Sequence, residues 1–400
     1  MRLEGPWLRA AEGAMLLGPD GVPAPTVFAE MSALAAATGA INLGQGFPDE
    51  DGPREVLEAA VQAIRDGANQ YPPGRGIPDL RAAIAEHQAR WYGLDVDPDR
   101  EVLVTAGATE ALAATLLALV EPGDEVITFE PFYDAYGALV RLAGGTHVTV
   151  PLTAPDFLPD ETTLRAAFSD RTRVVLVNTP HNPTGRVLPP EVLRTVVELA
   201  EQYDAVVVTD EVYEHLTFAT PHVPSATLPG ARDRTVTISS AGKTFSTTGW
   251  KIGWLTAPLA LVDAITTVKQ FLTFVNGSPF QPAVAAGLRL PTEVFTGIAA
   301  TLAAKHELLA DGLRRAGFDV MRPDGGYFVI ADAAPLGFAD AREFCLALPG
   351  RVGVVGVPVS AFVRPDHQSG YRSLVRFAFC KQRPVLEDAA ARLAALTPTA

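Results

Sequence analysis

Arg173-Val-Val-Leu-Val-Asn178, the helical stretch Pro189 to Tyr203 and Ala205-Val-Val-Val-Thr-Asp210 follow one another along the chain, and their succession decides the fold. Short β-branched runs separated by segments of helical periodicity mark alternating strands and helices. The alternation continues in both directions, with further runs at Glu101 to Thr105, Glu125 to Phe129, Thr146 to Val150 and Thr235 to Ser239. It predicts an α/β architecture: a mostly parallel central sheet, helices on both faces, and ligands bound beyond the carboxyl ends of the strands. From about residue 290 the pattern changes to a long helical segment, then strands at Gly326 to Ala331, Val352 to Val355 and Ser373 to Phe379, then a closing helix. That is the pattern of a smaller α+β domain. The expected organisation is a large domain over 51–288, a small C-terminal domain over 289–400, and an N-terminal segment, 1–50, that joins the small domain.

Composition limits the function classes. The chain has 400 residues, 48% hydrophobic and 20% charged, which excludes intrinsic disorder and exceeds what one core usually serves. Its net charge of −14 repels phosphate backbones and anionic lipid, so neither nucleic acid nor a membrane is an expected partner. Cys345 and Cys380 form no C-x-x-C pair and are read as core thiols in a reducing compartment. Glu4 precedes any apolar run, and the longest uncharged stretch, Ala111 to Val120, is too short to span a bilayer, so the cytoplasm is the expected location.

Motifs narrow the chemistry further. Gly44-Gln-Gly46 and Gly74-Arg-Gly76 lack the third glycine of a dinucleotide fingerprint, and no Walker loop, G-x-S-x-G elbow or H-E-x-x-H pair occurs. His181 and His215 have no metal-ligand spacing and are read as hydrogen-bonded structural residues; no metal is expected. What remains is a set of unusual residues placed just after the strands. Val104-Thr-Ala-Gly107-Ala108-Thr109 leads into the apolar helix Ala111 to Val120, where small residues let backbone N–H groups approach an anion. Asn178-Thr-Pro-His-Asn182-Pro183-Thr-Gly185 is rich in turn residues, and a structural turn is the plainer account of it. Asp210 ends a strand expected at the sheet centre, where a charge needs a cationic partner unless it caps the following helix. Ser239-Ser240-Ala-Gly-Lys243 to Gly249-Trp250-Lys251-Ile-Gly253 sets two of the five lysines in a glycine-punctuated loop. Of the others, Lys269 and Lys305 lie on helical stretches and read as solvated surface.

An anion cradle, a buried acid and a lysine together call for a ligand with a phosphate, a cationic ring nitrogen and an aldehyde. Pyridoxal 5′-phosphate has all three: lysine holds the aldehyde as a Schiff base, aspartate keeps the pyridine nitrogen protonated, and a helix N-terminus receives the phosphate.

At these positions the sequence resembles the class I and II aminotransferases of pyridoxal-phosphate fold type I, over nearly its whole length. The resemblance rests on Asn42-Leu-Gly-Gln-Gly46-Phe-Pro-Asp49, Asn69-Gln-Tyr71, Glu130-Pro-Phe132-Tyr-Asp, Asn178 to Gly185, Thr209-Asp210-Glu211-Val-Tyr213, Ser240 to Gly253 and Val375-Arg376-Phe377. Within the family it is most similar to the branch of kynurenine, glutamine and methionine transaminases. Gly5-Pro-Trp7-Leu-Arg9, Val27-Phe28-Ala-Glu30-Met31 and Gly46 to Gly52 look like actinobacterial N-succinyldiaminopimelate aminotransferases.

The resemblance implies a role for each matching residue. Lys243 links to the cofactor aldehyde and moves the proton between substrate Cα and cofactor C4′. Asp210 pairs with the pyridine nitrogen, Asn182 and Tyr213 bond the phenolic oxygen, and Phe132 stacks on the ring. Ala108, Thr109, Ser240 and Lys251 hold the phosphate, with Tyr71 reaching it from the second subunit of a homodimer. Arg376, mid-strand among apolar residues, clamps the substrate α-carboxylate with help from Asn182 and the Gly46 backbone; a buried structural ion pair is its alternative. Thr109 and Val275 replace an aromatic and a histidine of the animal kynurenine enzymes, which points away from kynurenine. Trp7, Phe28 and the segment Phe274 to Phe280 are pocket candidates, unless they are simply core.

The expected activity is ping-pong transfer of an amino group between an L-amino acid and a 2-oxo acid. The resemblance favours N-succinyldiaminopimelate with glutamate/2-oxoglutarate. The alternatives are a broad methionine, glutamine and aromatic aminotransferase, or C–S β-elimination from cysteine conjugates. A ligand-sensing module is disfavoured, because the chain has no spare basic region for DNA.

Overall fold

The computed structural model describes residues 5–18 and 20–396, so Glu4 lies outside the described residues. In chain order its strands are β1 (Ile41–Asn42), β2 (Val102–Ala106), β3 (Glu125–Glu130), β4 (Thr146–Thr153), β5 (Leu158–Pro159), β6 (Thr172–Asn178), β7 (Val206–Asp210), β8 (Thr235–Ser240), β9 (Ile252–Thr256), β10 (Asp319–Met321), β11 (Phe328–Asp332), β12 (Val354–Val355), β13 (Val357–Pro358) and β14 (Leu374–Ala378). Eight of them form one sheet in the order β2-β9-β8-β7-β6-β3-β4-β5.

The run from β4 through β3, β6 and β7 to β8 is parallel throughout. Strands β3, β7 and β8 are buried along their whole length, which is why they read as continuous apolar or β-branched runs with no alternation. Strand β9 is a correction to the sequence reading. It inserts antiparallel between β2 and β8, and its sequence, Ile-Gly-Trp-Leu-Thr, lacks the β-branched run that flagged the others.

Helices cover the sheet for local reasons. Pro190–Gln202 starts on a proline and buries Leu193, Val196, Val197 and Ala200, the i, i+3, i+4, i+7 stripe of a sheet-facing helix. Gly107–Leu119 follows β2 directly and is apolar on nearly every face, because it is enclosed by the sheet and neighbouring helices. A second, antiparallel sheet of order β10-β11-β14-β13 packs with the 25-residue helix Thr292–Ala316. The N-terminal stretch reaches both bodies. The helix Pro6–Gly13 packs on Asp134–Ala143 through a close approach of Gly13 to Gly137, where an added Cβ would sit 2.1 Å from a carbonyl oxygen. Strand β1 pairs with β12. Both cysteines are buried and free. Among the described residues no helix is long and apolar enough to cross a membrane.

Two lysines read as solvated surface are buried instead. Lys305 Nζ lies 2.6 Å from Glu50 Oε2, tying the N-terminal stretch to the long helix. Lys269 Nζ donates to the carbonyls of Gly74 (3.0 Å) and Phe274 (2.6 Å), and burial lowers its pKa. Their long stems run along apolar surface to carbonyls or a carboxylate far away in sequence, which helical spacing alone does not show.

Lys269→Met keeps the stem and removes the donor, leaving two carbonyls short of a partner. Unfolding free energy should fall by roughly 1–3 kcal/mol, read as a lower urea midpoint at unchanged slope. An unchanged midpoint would show that the ammonium contributes nothing net.

Candidate active site

The carboxyl ends of β3, β6, β7 and β8 open onto a cavity of about 240 Å³. One end of it is built from backbone. Gly107, at φ 74°, starts the helix Gly107–Leu119. A Cβ on Gly253 would lie 2.6 Å from the Gly107 carbonyl carbon, so only glycine lets the β9 backbone come this close. A Cβ on Gly107 would lie 3.3 Å from Lys251 Nζ. The helix N-terminus, Ala108, Thr109, the Ser240 hydroxyl and the Lys251 ammonium thus converge on one end of the cavity, an arrangement suited to a phosphate-sized anion.

At its centre are a carboxylate and an amine. Asp210, at the end of β7, is buried, and burial raises its pKa. The Tyr136 hydroxyl, which donates to Oδ2 at 2.7 Å, the Val212 N–H and the Lys243 charge act in the opposite direction. Oδ1 has only the Val212 N–H at 3.4 Å, which leaves it open to a further cationic donor. Lys243 sits in the short helix Ala241–Thr244 between the rings of Tyr213 and Tyr327, 5.7 and 5.8 Å from their centroids. Burial lowers its pKa, against the pull of Cys380 and Asp210, so its neutral, nucleophilic form is favoured. The Tyr327 hydroxyl donates to the Lys243 carbonyl at 2.7 Å and fixes the backbone there.

The third element is Arg376 in β14. Nη1 donates to Asn182 Oδ1 (3.1 Å), Nη2 to the Gly44 carbonyl (2.6 Å), and Nε has no partner. The guanidinium lies over Phe328 (4.0 Å), Phe362 (4.8 Å) and Phe28 (5.2 Å). Burial pushes its pKa down to about 10. Among the described residues no carboxylate pairs with it, so the structural ion pair considered from sequence is not formed. The turn Asn178 to Gly185 supplies Asn182: Asn178 donates to the carbonyls of Pro180 and Asp210 and accepts from Asn182 N–H at 2.7 Å, locking the turn to the end of β7.

Gly46, Phe28, Ala108, Thr109, Asn182, Asp210, Tyr213, Ser240, Lys243, Lys251 and Arg376 all line this cavity. Phe132 does not, and this corrects the sequence reading: it is buried against His147, edge-on at 4.8 Å, while Tyr133 beside it lines the cavity. Trp7 is 46% exposed on the first helix, outside the lining. Phe274 is exposed and also outside it; Tyr71 is 82% exposed and packs edge-on against Phe274 at 5.5 Å. Tyr133, Tyr136, Tyr327, Phe328 and Phe362 were not read from sequence. Spacing marked none of them; Phe328 lies on β11, whose pairing with the strand that bears Arg376 is seen only in three dimensions.

A family model described as aminotransferase class I and II matches residues 38–393. A Mycobacterium tuberculosis protein named as a probable N-succinyldiaminopimelate aminotransferase is 51% identical over 93% of this chain and 96% of its own. Escherichia coli methionine aminotransferase is 39% identical over 92% and 95%. The solved structure of N-succinyldiaminopimelate aminotransferase from M. tuberculosis superposes with a TM-score of 0.91 at 51% identity, covering 94% of this chain and 98% of that one.

A raised Asp210 pKa has a stability consequence. The folded state binds that proton more tightly than the unfolded chain, so the contribution is favourable at low pH and is lost as pH rises through the folded pKa. In ligand-free protein, Asp210→Asn should therefore raise the thermal midpoint at neutral and higher pH, with the gain shrinking as pH falls through that value. A variant less stable than the parent at every pH would refute the uncompensated carboxylate.

Proposed function

The chain belongs to the class I and II aminotransferases, with their fold type I architecture, and from that premise we propose that it uses pyridoxal 5′-phosphate to move amino groups between N-succinyldiaminopimelate and 2-oxoglutarate. The observation that supports the substrate is the 51% identity to the M. tuberculosis relative over nearly the full length of both chains. The cofactor is supported by the fit of its parts to the cavity: an anion cradle at one end, Asp210 Oδ1 with no strong donor, and the depressed amine of Lys243 nearby. When bound, pyridoxal 5′-phosphate supplies an aldehyde that captures amino groups and a ring that withdraws electrons from the bond being broken.

The roles of the residues follow from their chemistry. Ala108, Thr109, Ser240 and Lys251 would hold the phosphate, with Tyr71 of a second copy completing that end in a homodimer. Asp210 would keep the ring nitrogen protonated, with Tyr136 holding the carboxylate still. Asn182 and Tyr213 would bond the phenolic oxygen, and Tyr133, not Phe132, would face the ring. Lys243 would hold the aldehyde at rest. When free, its Nζ would be the neutral base that takes the Cα proton. Arg376, with Asn182 and the Gly46 backbone, would clamp the substrate α-carboxylate; aromatic faces on its other sides exclude water and strengthen the pairing. In this reading residues 51–288 are the cofactor-binding domain, 289–400 with 1–50 the small domain, and the enzyme works in the cytoplasm.

Borohydride treatment of the yellow protein followed by peptide mapping should find the pyridoxyl adduct on Lys243, and Lys243→Ala should abolish the half-reaction with every donor. Arg376→Ala should lower kcat/KM for all donors by about 2–5 kcal/mol. N-succinyl-LL-diaminopimelate should give a higher kcat/KM than methionine, glutamine or kynurenine. The reverse ranking would favour the broad aminotransferase, and pyruvate and ammonia from a cysteine conjugate without any oxo acid would favour C–S elimination.

A further inference from the structure

Behind β7, on the far side of Tyr213 from the cavity, the chain buries a second polar cluster that transamination does not use. His87, on the helix Pro78–Tyr92, and His215 meet through their Nε2 atoms at 2.6 Å. Their ring nitrogens and a carboxylate oxygen of Glu214 all lie within 4.8 Å of one another, and all three side chains are buried. We propose that His87, Glu214 and His215 are a binding site for one divalent transition-metal ion of the zinc class. This goes beyond the aminotransferase reading and does not depend on its substrate.

The donor set is the first argument. Two imidazole nitrogens and one carboxylate oxygen are ligands that zinc takes in three-residue sites, with a fourth position left open. The Nε2 atoms of the two rings already face a common point, where each can offer a lone pair once the proton between them is displaced. A small cavity of about 260 Å³, lined by Glu214, His215 and His222, adjoins the cluster and gives the fourth position room.

The second argument is charge. Glu211 and Glu214 are both buried, and among the described residues neither pairs with an arginine or lysine. Glu211 meets His222 Nε2 at 2.7 Å and accepts from the Ser225 N–H at 3.2 Å. Glu214 accepts from the Tyr92 hydroxyl (2.6 Å) and from Ser239. Two buried carboxyl groups therefore stand beside the imidazoles, and a dication bound there would meet them at close range. The Tyr92 and Ser239 hydroxyls would then orient the ligating carboxylate, as outer partners of metal ligands do.

The third argument is the bridging proton, for which His87 Nδ1, buried without a partner, is an available acceptor. In the structure one histidine must carry its proton on Nε2 to bridge the other. Metal binding replaces that shared proton, which moves to Nδ1 of the same ring, so the pair keeps both its protons. At Zn–N distances of about 2.0–2.1 Å the two Nε2 atoms would part to roughly 3.3 Å, less than an ångström beyond their present separation. The rings of Trp91, Tyr92 and Phe295 pack against the two imidazoles and hold them in place. The ligands stand 128 residues apart in sequence, which is why spacing gave no hint of them.

The test uses the holoenzyme, stripped with chelator, exchanged into chelator-free and phosphate-free buffer, and titrated with zinc chloride alone. The expected result is about one zinc retained per chain after gel filtration, a raised thermal midpoint, and at least about a hundred-fold weaker binding in His87→Gln and in His215→Gln. Zinc absent after gel filtration, or bound by both variants as tightly as by the wild-type protein, overturns the site. Should the variants fail to fold, the zinc absorption edge of the wild-type protein decides. Two imidazole nitrogens in the first coordination shell support the proposal; a shell without two overturns it.

Discussion

An unneutralised buried charge is the constraint from which the rest of the molecule can be understood. Asp210 and Arg376 are both buried, and among the described residues neither forms an ion pair. Each would be costly in an ordinary core, where unpaired charges are replaced or protonated. Under the proposed function a ligand would bring the missing partner: a cationic ring nitrogen for one, a carboxylate for the other. Stability forgone at these two charges would then reappear as binding and orientation in the complex.

The parallel sheet makes this possible. Its strands end together on one edge, so residues far apart in sequence reach a common point without long connections. Asp210 is carried by β7, Asn182 by the turn after β6, Ser240 and Lys243 by the end of β8, and the anion cradle by the junction of β2 with its helix. None of these groups lies on a free loop. Asn178 bonds to the carbonyl of Asp210, and Tyr327 bonds to the carbonyl of Lys243, so the backbone carrying the reactive groups is held from both bodies of the molecule.

This division explains what could be read from the chain and what could not. Strands β3, β7 and β8 were legible because burial on both faces demands unbroken apolar or β-branched runs. Strand β9 was not, since Gly253 there serves close packing against Gly107 and interrupts the β-branched run. Charged residues in apolar surroundings, Asp210 and Arg376, stood out because their cost is local. Their partners did not. Tyr136 finds Asp210 across 74 positions, and nothing in its own neighbourhood marks it. Of the two consecutive aromatics after β3, only three-dimensional structure tells that Tyr133 faces the cavity and Phe132 the core. Lys269 and Lys305 were misread for the same reason: a long side chain's surroundings are set by distant segments.

Arg376 also links the two bodies. It projects from the small antiparallel sheet, donates to Asn182 of the large body and to Gly44 next to β1, and lies among Phe28, Phe328 and Phe362. Displacement of the small sheet by even an ångström would lengthen the Asn182 bond beyond useful range and open a path for water into the aromatic enclosure. A carboxylate on the free edge of the guanidinium would resist that displacement, because its attraction is strongest when water is kept out. The same contacts that recognise the substrate therefore favour the arrangement of the two bodies in which Lys243 and Arg376 face one cavity, and recognition and assembly of the site become one event.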